Sequence, residues 1–143
     1  MGELVDRARD LAQRAHAGQV DKAGRPYIEH VSRVAAAVRG DETAETAAWL
    51  HDVLEDQPQY EAELETFPAD VQEAVRLLTR TPGVPQEPYY AAIREHPVAL
   101  AVKLADIADN SDPARLAMVA PEHRERLSRK YSKARRLLLD PDQ

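Results

Sequence analysis

Cysteine is absent from the 143 residues, so the chain forms no disulfide, offers no thiolate to a metal and has no cysteine nucleophile. Any metal must be held by nitrogen and oxygen donors. The same absence agrees with a reducing compartment, expected to be the cytoplasm. No stretch approaches the roughly 18 apolar residues that span a bilayer, and the N-terminus lacks the basic-then-apolar order of a signal peptide. Met1-Gly2 opens a lipid-anchor pattern, but Asp6 stands where that pattern needs Ser or Thr. Glycine is scarce as well, at 5 residues, and forms neither a Gly-x-x-x-x-Gly-Lys phosphate loop nor a Gly-x-Gly-x-x-Gly turn. The serines, Ser32, Ser111, Ser128 and Ser132, avoid any Gly-x-Ser-x-Gly elbow, so covalent hydrolysis by a serine triad has no support. A net charge of -6 argues against a broad nucleic-acid surface, while leaving room for a local basic pocket that binds a phosphorylated small molecule.

What is present is helical periodicity within a length suited to one domain, residues 1–143. Leu4, Val5, Ala8, Leu11, Ala12 and Ala15 form one apolar stripe ending near Gly18, and Ile28, Val31, Val34, Ala35 and Val38 form a second ending at Gly40. The intervening segment, with Gly18, Gly24 and Pro26, has turn chemistry. Asp41 is suited to cap a third helix running through Ala44, Ala47, Ala48 and His51. Glu61 to Glu65 fits one or two turns, and Pro68 opens a helix bearing Val71, Ala74, Val75 and Leu78. Residues 81–88 hold three prolines and read as a stiff loop. Tyr89 to His96, a helix from Val98 through Asp106 and Asn110, and a basic amphipathic helix from Pro121 to Leu139 complete the pattern. Since nothing alternates with period two for long, the expectation is an all-α, irregular bundle of six or seven helices.

Within this bundle the string Trp49-Leu50-His51-Asp52-Val53-Leu54-Glu55-Asp56 sets an imidazole and three carboxylates against apolar neighbours. On a continuous helix Glu55 would lie on the face of His51, and Asp56 on the face of Asp52. A divalent cation compensates such a cluster, and solvation at a frayed helix end is the plain alternative. His30, His51, Asp52 and Asp106 are the candidate ligands, drawn from separate helices as an internal bundle site requires. This mixed set favours manganese, iron or another divalent ion with open positions over a closed structural zinc. Such an ion suits phosphoester or pyrophosphate hydrolysis, with Glu55 or Asp56 taking the proton. His16, His96 and His123 have weaker claims, the last two as surface residues, and Trp49 and Phe67 read as core.

The ordered set His30, His51-Asp52 and Asp106 resembles the H…HD…D signature of HD-domain phosphohydrolases. Ala15-His16-Ala17-Gly18-Gln19, Lys22 and Gly24-Arg25-Pro26-Tyr27-Ile28-Glu29-His30 are similar to the opening of the RelA/SpoT-type hydrolase domain, which removes the 3′-pyrophosphate from (p)ppGpp. His51 to Asp56 resembles that family's HD-x-x-ED motif, and Val102 to Asp106 with Asn110 its third block. The resemblance implies manganese on His30, His51, Asp52 and Asp106. It also implies Glu55 and Asp56 at the attacking water, and Lys22, Asn110 and Tyr131 against the nucleotide. No synthetase motif occurs, so the chain resembles a small stand-alone alarmone hydrolase. Asp21 replaces an arginine that packs on guanine in the family, a reversal expected to weaken polyphosphate attraction and base stacking. Val31 replaces a proline after His30.

Three readings follow: a (p)ppGpp 3′-pyrophosphohydrolase, an HD phosphohydrolase for another phosphorylated nucleotide, and a metal-binding regulatory module that has lost catalysis. A purely structural bundle is the remaining alternative. The expected partner is a small phosphorylated nucleotide rather than nucleic acid or a membrane, and the sequence does not determine the oligomeric state.

Overall fold

The computed structural model describes residues 2–139, with the side chain of Asp56 outside the described part. Its longer helices are α1 (Glu3–Ala15), α2 (Tyr27–Ala37), α3 (Glu42–Leu50), α6 (Ala69–Leu78), α7 (Gln86–Arg94), α8 (Pro97–Asn110) and α10 (Pro121–Leu139). Three one-turn helices join them: α4 (Val53–Asp56), α5 (Glu61–Leu64) and α9 (Pro113–Leu116). A 3-10 turn at Pro58–Tyr60 precedes α5. No strand occurs among the described residues, only an isolated bridge between Val20 and Pro26. The all-α bundle matches the sequence expectation, and the short helices raise the number of elements above six or seven.

Helix α3 is the centre of the bundle because its small residues permit close approach on every side. Ala44, Thr46, Ala47, Ala48, Trp49 and Leu50 are all buried, and α3 packs against α1, α2, α6 and α8. Only its first turns carry acidic residues, Glu42 and Glu45, and the rest of the helix is apolar enough to belong in a core. Asp41 caps it, accepting from the Ala44 backbone N–H at 3.1 Å. Trp49 and Phe67 are buried, as expected. Val31, in place of the family's proline, sits fully buried within α2.

Helix α3 does not continue through the acidic string. It stops at Leu50, and Asp52 adopts φ -109 and ψ 1 before α4 begins. The Ala48 carbonyl accepts from the His51 ring Nδ1 at 2.6 Å, displacing the regular ladder at that point. This break corrects the continuous-helix expectation and turns His51 and Asp52 toward a common space.

Two other differences concern prolines. Helix α7 starts at Gln86 rather than Tyr89, with Pro88 in its first turn, where the missing N–H costs no ladder bond. Asp112 caps the unforeseen α9, whose second residue follows Pro113 at N1. The loop between α1 and α2 folds back on itself. Asp21 N–H donates to Arg25 at 2.8 Å, Tyr27 N–H donates to Gln19 at 2.8 Å, and Gly24 adopts a φ of 81 that other residues reach only with strain.

Candidate metal centre and adjoining cleft

Helices α2, α3 and α8 pack on one another, and each delivers part of the candidate centre. His30 comes from the first turns of α2, His51 and Asp52 from the α3–α4 break, and Asp106 from the buried face of α8. One donor atom from each lies within 4.8 Å of every other, the spacing of a shared cation site. His30 is 0% exposed, and His51 and Asp106 are also buried. The structure thus brings together all four residues singled out as ligands.

Hydrogen bonding assigns the imidazoles. Asp109 Oδ2 lies 2.6 Å from His30 Nδ1, and since a carboxylate only accepts, Nδ1 carries the proton and Nε2 faces the centre. By the same rule Nε2, 2.9 Å from Asp106 Oδ1, also carries a proton while no cation is bound, in keeping with the raised pKa of this ring. His51 is oriented likewise by its Nδ1 contact with the Ala48 carbonyl. Its Nε2 is buried without a hydrogen bond of acceptable geometry, although Asp52 Oδ2 and Asp106 Oδ1 stand 3.1 and 3.4 Å away. An orphaned ring nitrogen flanked by two carboxylates is a misfit in a plain core and a fit for a ligand aimed at a cation.

The electrostatics agree. Burial alone lowers the pKa of an imidazole, yet the hydrogen bonds that His30 donates to Asp106 and Asp109 raise it. For His51 burial is again opposed, and Asp52 and Asp106 raise it well above the ordinary value. Burial works against the Asp52 charge, but His51 holds that carboxyl down at about 2. Asp106 is likewise held well below the usual range, chiefly by His30 and His51 against its own burial. The centre is therefore arranged around negative oxygens that require positive charge beside them.

Glu55 reaches the centre from α4. Its Oε1 accepts from the Arg80 backbone N–H at 3.0 Å. Desolvation of the carboxyl, followed by the nearby Asp52 charge, raises its pKa even though the residue as a whole is solvent-accessible. Asp56 lies on the same one-turn helix, and the contacts of its side chain fall outside the described residues.

A cleft of about 680 Å³ adjoins the centre, and Lys22, Asn110 and Tyr131 all line it, together with Arg33, Arg115 and Lys130. Asn110 joins cleft to centre by donating to Asp106 Oδ1 at 3.1 Å. The α10 basic face, which periodicity explains by solvation, thus contributes Lys130 and Tyr131 to a cationic wall. Burial, with Lys22 and Lys103 nearby, lowers the pKa of Lys130.

Asp21 departs from expectation. It is no free negative charge in the cleft: its carboxylate accepts from the Ala23 and Arg25 N–H groups at 2.9 Å each and from Arg115 at 2.8 Å. The side chain is only 8% exposed. His16 closes α1 and stays outside the cluster of four, as expected, whereas His96 is less exposed than a surface residue. His16 is buried, 2.8 Å from Gln19 through Nδ1, with its ring 5.1 Å from that of Tyr27. His96 caps α8 by accepting from Ala99 N–H at 3.2 Å. His123 is exposed, as expected.

Sequence reasoning overlooked Tyr27, Lys103, Asp109 and Arg115. Tyr27 donates to Asp52 Oδ2, and Lys103 Nζ lies 3.2 Å from Asp106 Oδ2. Lys103 and Asp109 each lie three positions from Asp106 on α8, a helical signal available in the sequence. Arg115 gave no such signal, because α9 itself was not anticipated.

The HD-domain family model matches residues 8–139. A guanosine-3′,5′-bis(diphosphate) 3′-pyrophosphohydrolase of Haemophilus influenzae is 36% identical over 135 residues, covering 83% of this chain and 20% of that protein. The protein of the same name from Aquifex aeolicus is 33% identical, with 76% of this chain and 17% of its own length covered. The chain therefore spans about a fifth of these curated relatives. A solved structure described as a metazoan ortholog of SpoT that hydrolyzes ppGpp superposes with a TM-score of 0.77 at 26% identity, covering 96% of this chain and 86% of that one. With its histidines and aspartates brought together where α2, α3 and α8 meet, the chain belongs to the HD-domain family.

Proposed function

We propose that this chain is a divalent-metal-dependent phosphohydrolase that removes the 3′-pyrophosphate from (p)ppGpp in the cytoplasm, with Mn²⁺ as its metal. The observation that carries the reading is the convergence of His30, His51, Asp52 and Asp106 donors within 4.8 Å, next to a cationic cleft. The names of the relatives from Haemophilus influenzae and Aquifex aeolicus support the substrate.

The two imidazole Nε2 atoms and the Asp52 and Asp106 carboxylates would hold the ion. When bound, a divalent cation polarises phosphoryl oxygens and acidifies water. Glu55, with its raised pKa, takes the proton of the attacking water, and Asp56 orients that water. Water adds to the phosphorus on the ribose 3′ oxygen, that P–O bond breaks, and pyrophosphate leaves as the 3′ oxygen gains a proton. Lys22 and Lys130 offset phosphate charge, Asn110 positions the sugar-phosphate beside Asp106, and Tyr131 packs along the nucleotide. The partner is thus a small nucleotide rather than nucleic acid or a membrane. Among the described residues no helix is long and apolar enough to cross a bilayer.

One observation favours a second substrate within the same chemistry. Asp21, in place of the family's stacking arginine, is tied to Arg115, so another phosphorylated nucleotide is the alternative. Retention of Glu55 beside the centre argues against a decayed regulatory module. Incubating Mn²⁺-loaded protein with (p)ppGpp and a panel of nucleoside mono- and polyphosphates tests both readings. Pyrophosphate released from (p)ppGpp is the expected product. Orthophosphate alone, or turnover only of other nucleotides, overturns the first reading.

A further inference from the structure

We propose that Arg115 is a positioning residue that couples the Asp21–Lys22 loop to the orientation of His30, acting through Asp109. Its guanidinium reaches two carboxylates that belong to different parts of the fold. One terminal nitrogen lies 2.8 Å from Asp21 Oδ2, and the other lies 2.8 Å from Asp109 Oδ2 and 3.0 Å from Asn110 Oδ1. Asp109 Oδ2 is the oxygen that accepts from His30 Nδ1–H at 2.6 Å. The guanidinium nitrogen that meets Asp109 also lies 3.3 Å from His30 Nδ1. The continuous path from the loop that carries Lys22 thus runs through one guanidinium, with the Asp109 carboxylate as the shorter link, to an imidazole whose other nitrogen faces the metal centre.

The side chains of Asp21, Asp109 and Arg115 are 8, 13 and 20% exposed, so the interactions are weakly screened. The planar fork of arginine can hold two carboxylates at fixed angles, whereas a lysine ammonium is a single point charge. Arg115 is itself firmly placed. Asp112 caps its helix by accepting from Arg115 N–H at 3.2 Å. From α10, Arg124 donates to the carbonyls of Leu116, Ala117 and Val119.

A merely structural role is distinguishable because Asp109 has a second cation. Arg33 Nε donates to its Oδ1 at 2.7 Å, so loss of Arg115 leaves Asp109 compensated and α8 packed. What is lost is the link to Asp21, together with the constraint on the oxygen facing His30. Outer partners of a ligating histidine typically change metal affinity by about 10- to 100-fold when removed. A residue one step further out belongs at the low end of that range.

The inference rests on the metal-centre reading, and a double-mutant cycle with two readouts separates their failures. The first readout is the Mn²⁺ dissociation constant of the full chain. Asp21→Asn is expected to weaken binding about 3-fold and Arg115→Gln about 10-fold, with the double variant matching Arg115→Gln alone. The second is the NMR signal of the His30 Nδ1 proton without added metal, which Asp21→Asn should shift only when Arg115 is present. Arg115→Lys should restore the melting temperature without restoring the coupling. Additive effects of Asp21→Asn and Arg115→Gln on both readouts overturn the proposal. If wild type binds no Mn²⁺ while the proton signal still couples, the metal reading fails and the positioning link stands.

Discussion

The hydroxyl of Tyr27 donates a hydrogen bond to Oδ2 of Asp52, joining the first turn of α2 to the break between α3 and α4. The same ring lies 5.1 Å from the ring of His16 and 5.3 Å from that of His30. Tyr27 therefore packs beside one candidate ligand and orients another. Tyr27→Phe keeps the packing and removes only the donor. Its Mn²⁺ dissociation constant is expected to rise about 10-fold with unchanged helical circular dichroism. An unchanged constant, measured by equilibrium dialysis, would show that the hydroxyl does not orient Asp52.

Metal binding at the four donors should also stabilise the fold. Asp106 opposes the lowered pKa of Asp52 as a like charge, so a buried and a half-buried carboxylate repel one another at the centre. A ligand that binds the folded state alone stabilises it by about 2.7 kcal/mol at 100 times its dissociation constant. Melting should therefore shift upward by roughly 5–10 °C with saturating Mn²⁺ and return on chelation. Asp52→Ala should abolish the shift, and an equal shift in that variant would place the ion elsewhere.

The legibility of this chain follows the range of the forces involved. The stripe from Val5 to Ala15 and the stripe from Val31 to Ala35 are local periodic signals, and both became buried helix faces. The four candidate ligands were legible because imidazoles and carboxylates amid apolar residues need compensation, and they converge as that argument requires. The break at His51 was not legible, because it depends on a ring nitrogen competing for the Ala48 carbonyl. Asp21 was misread for a related reason. Its charge is local, but its partner Arg115 lies 94 residues away on a one-turn helix without a periodic signature.

That correction reverses an expectation for the loop. On charge alone, Asp21→Arg adds a guanidinium for stacking and phosphate attraction and should lower KM for (p)ppGpp. In the fold the Asp21 carboxylate closes the turn through the Ala23 and Arg25 N–H groups and pairs with Arg115. The substitution leaves those donors unsatisfied and sets two guanidiniums together, at a stability cost of about 1–3 kcal/mol. KM should rise, and chemical denaturation should show the loss. A lower KM with stability retained would restore the simple charge argument.

Glu55 offers the cleanest separation of chemistry from binding. Its carboxyl is not one of the four converging donors, yet it is close enough to Asp52 for that charge to raise its pKa. Glu55→Gln removes the negative charge while an amide oxygen remains to accept from Arg80 N–H, so the contact between α4 and the end of α6 survives. If Glu55 takes the proton of the attacking water, kcat should fall about 100-fold or more, with KM nearly unchanged. Mn²⁺ content per chain, measured on the same preparation, should equal that of wild type. Turnover at the wild-type rate with the metal in place would leave Glu55 only the task of holding Arg80.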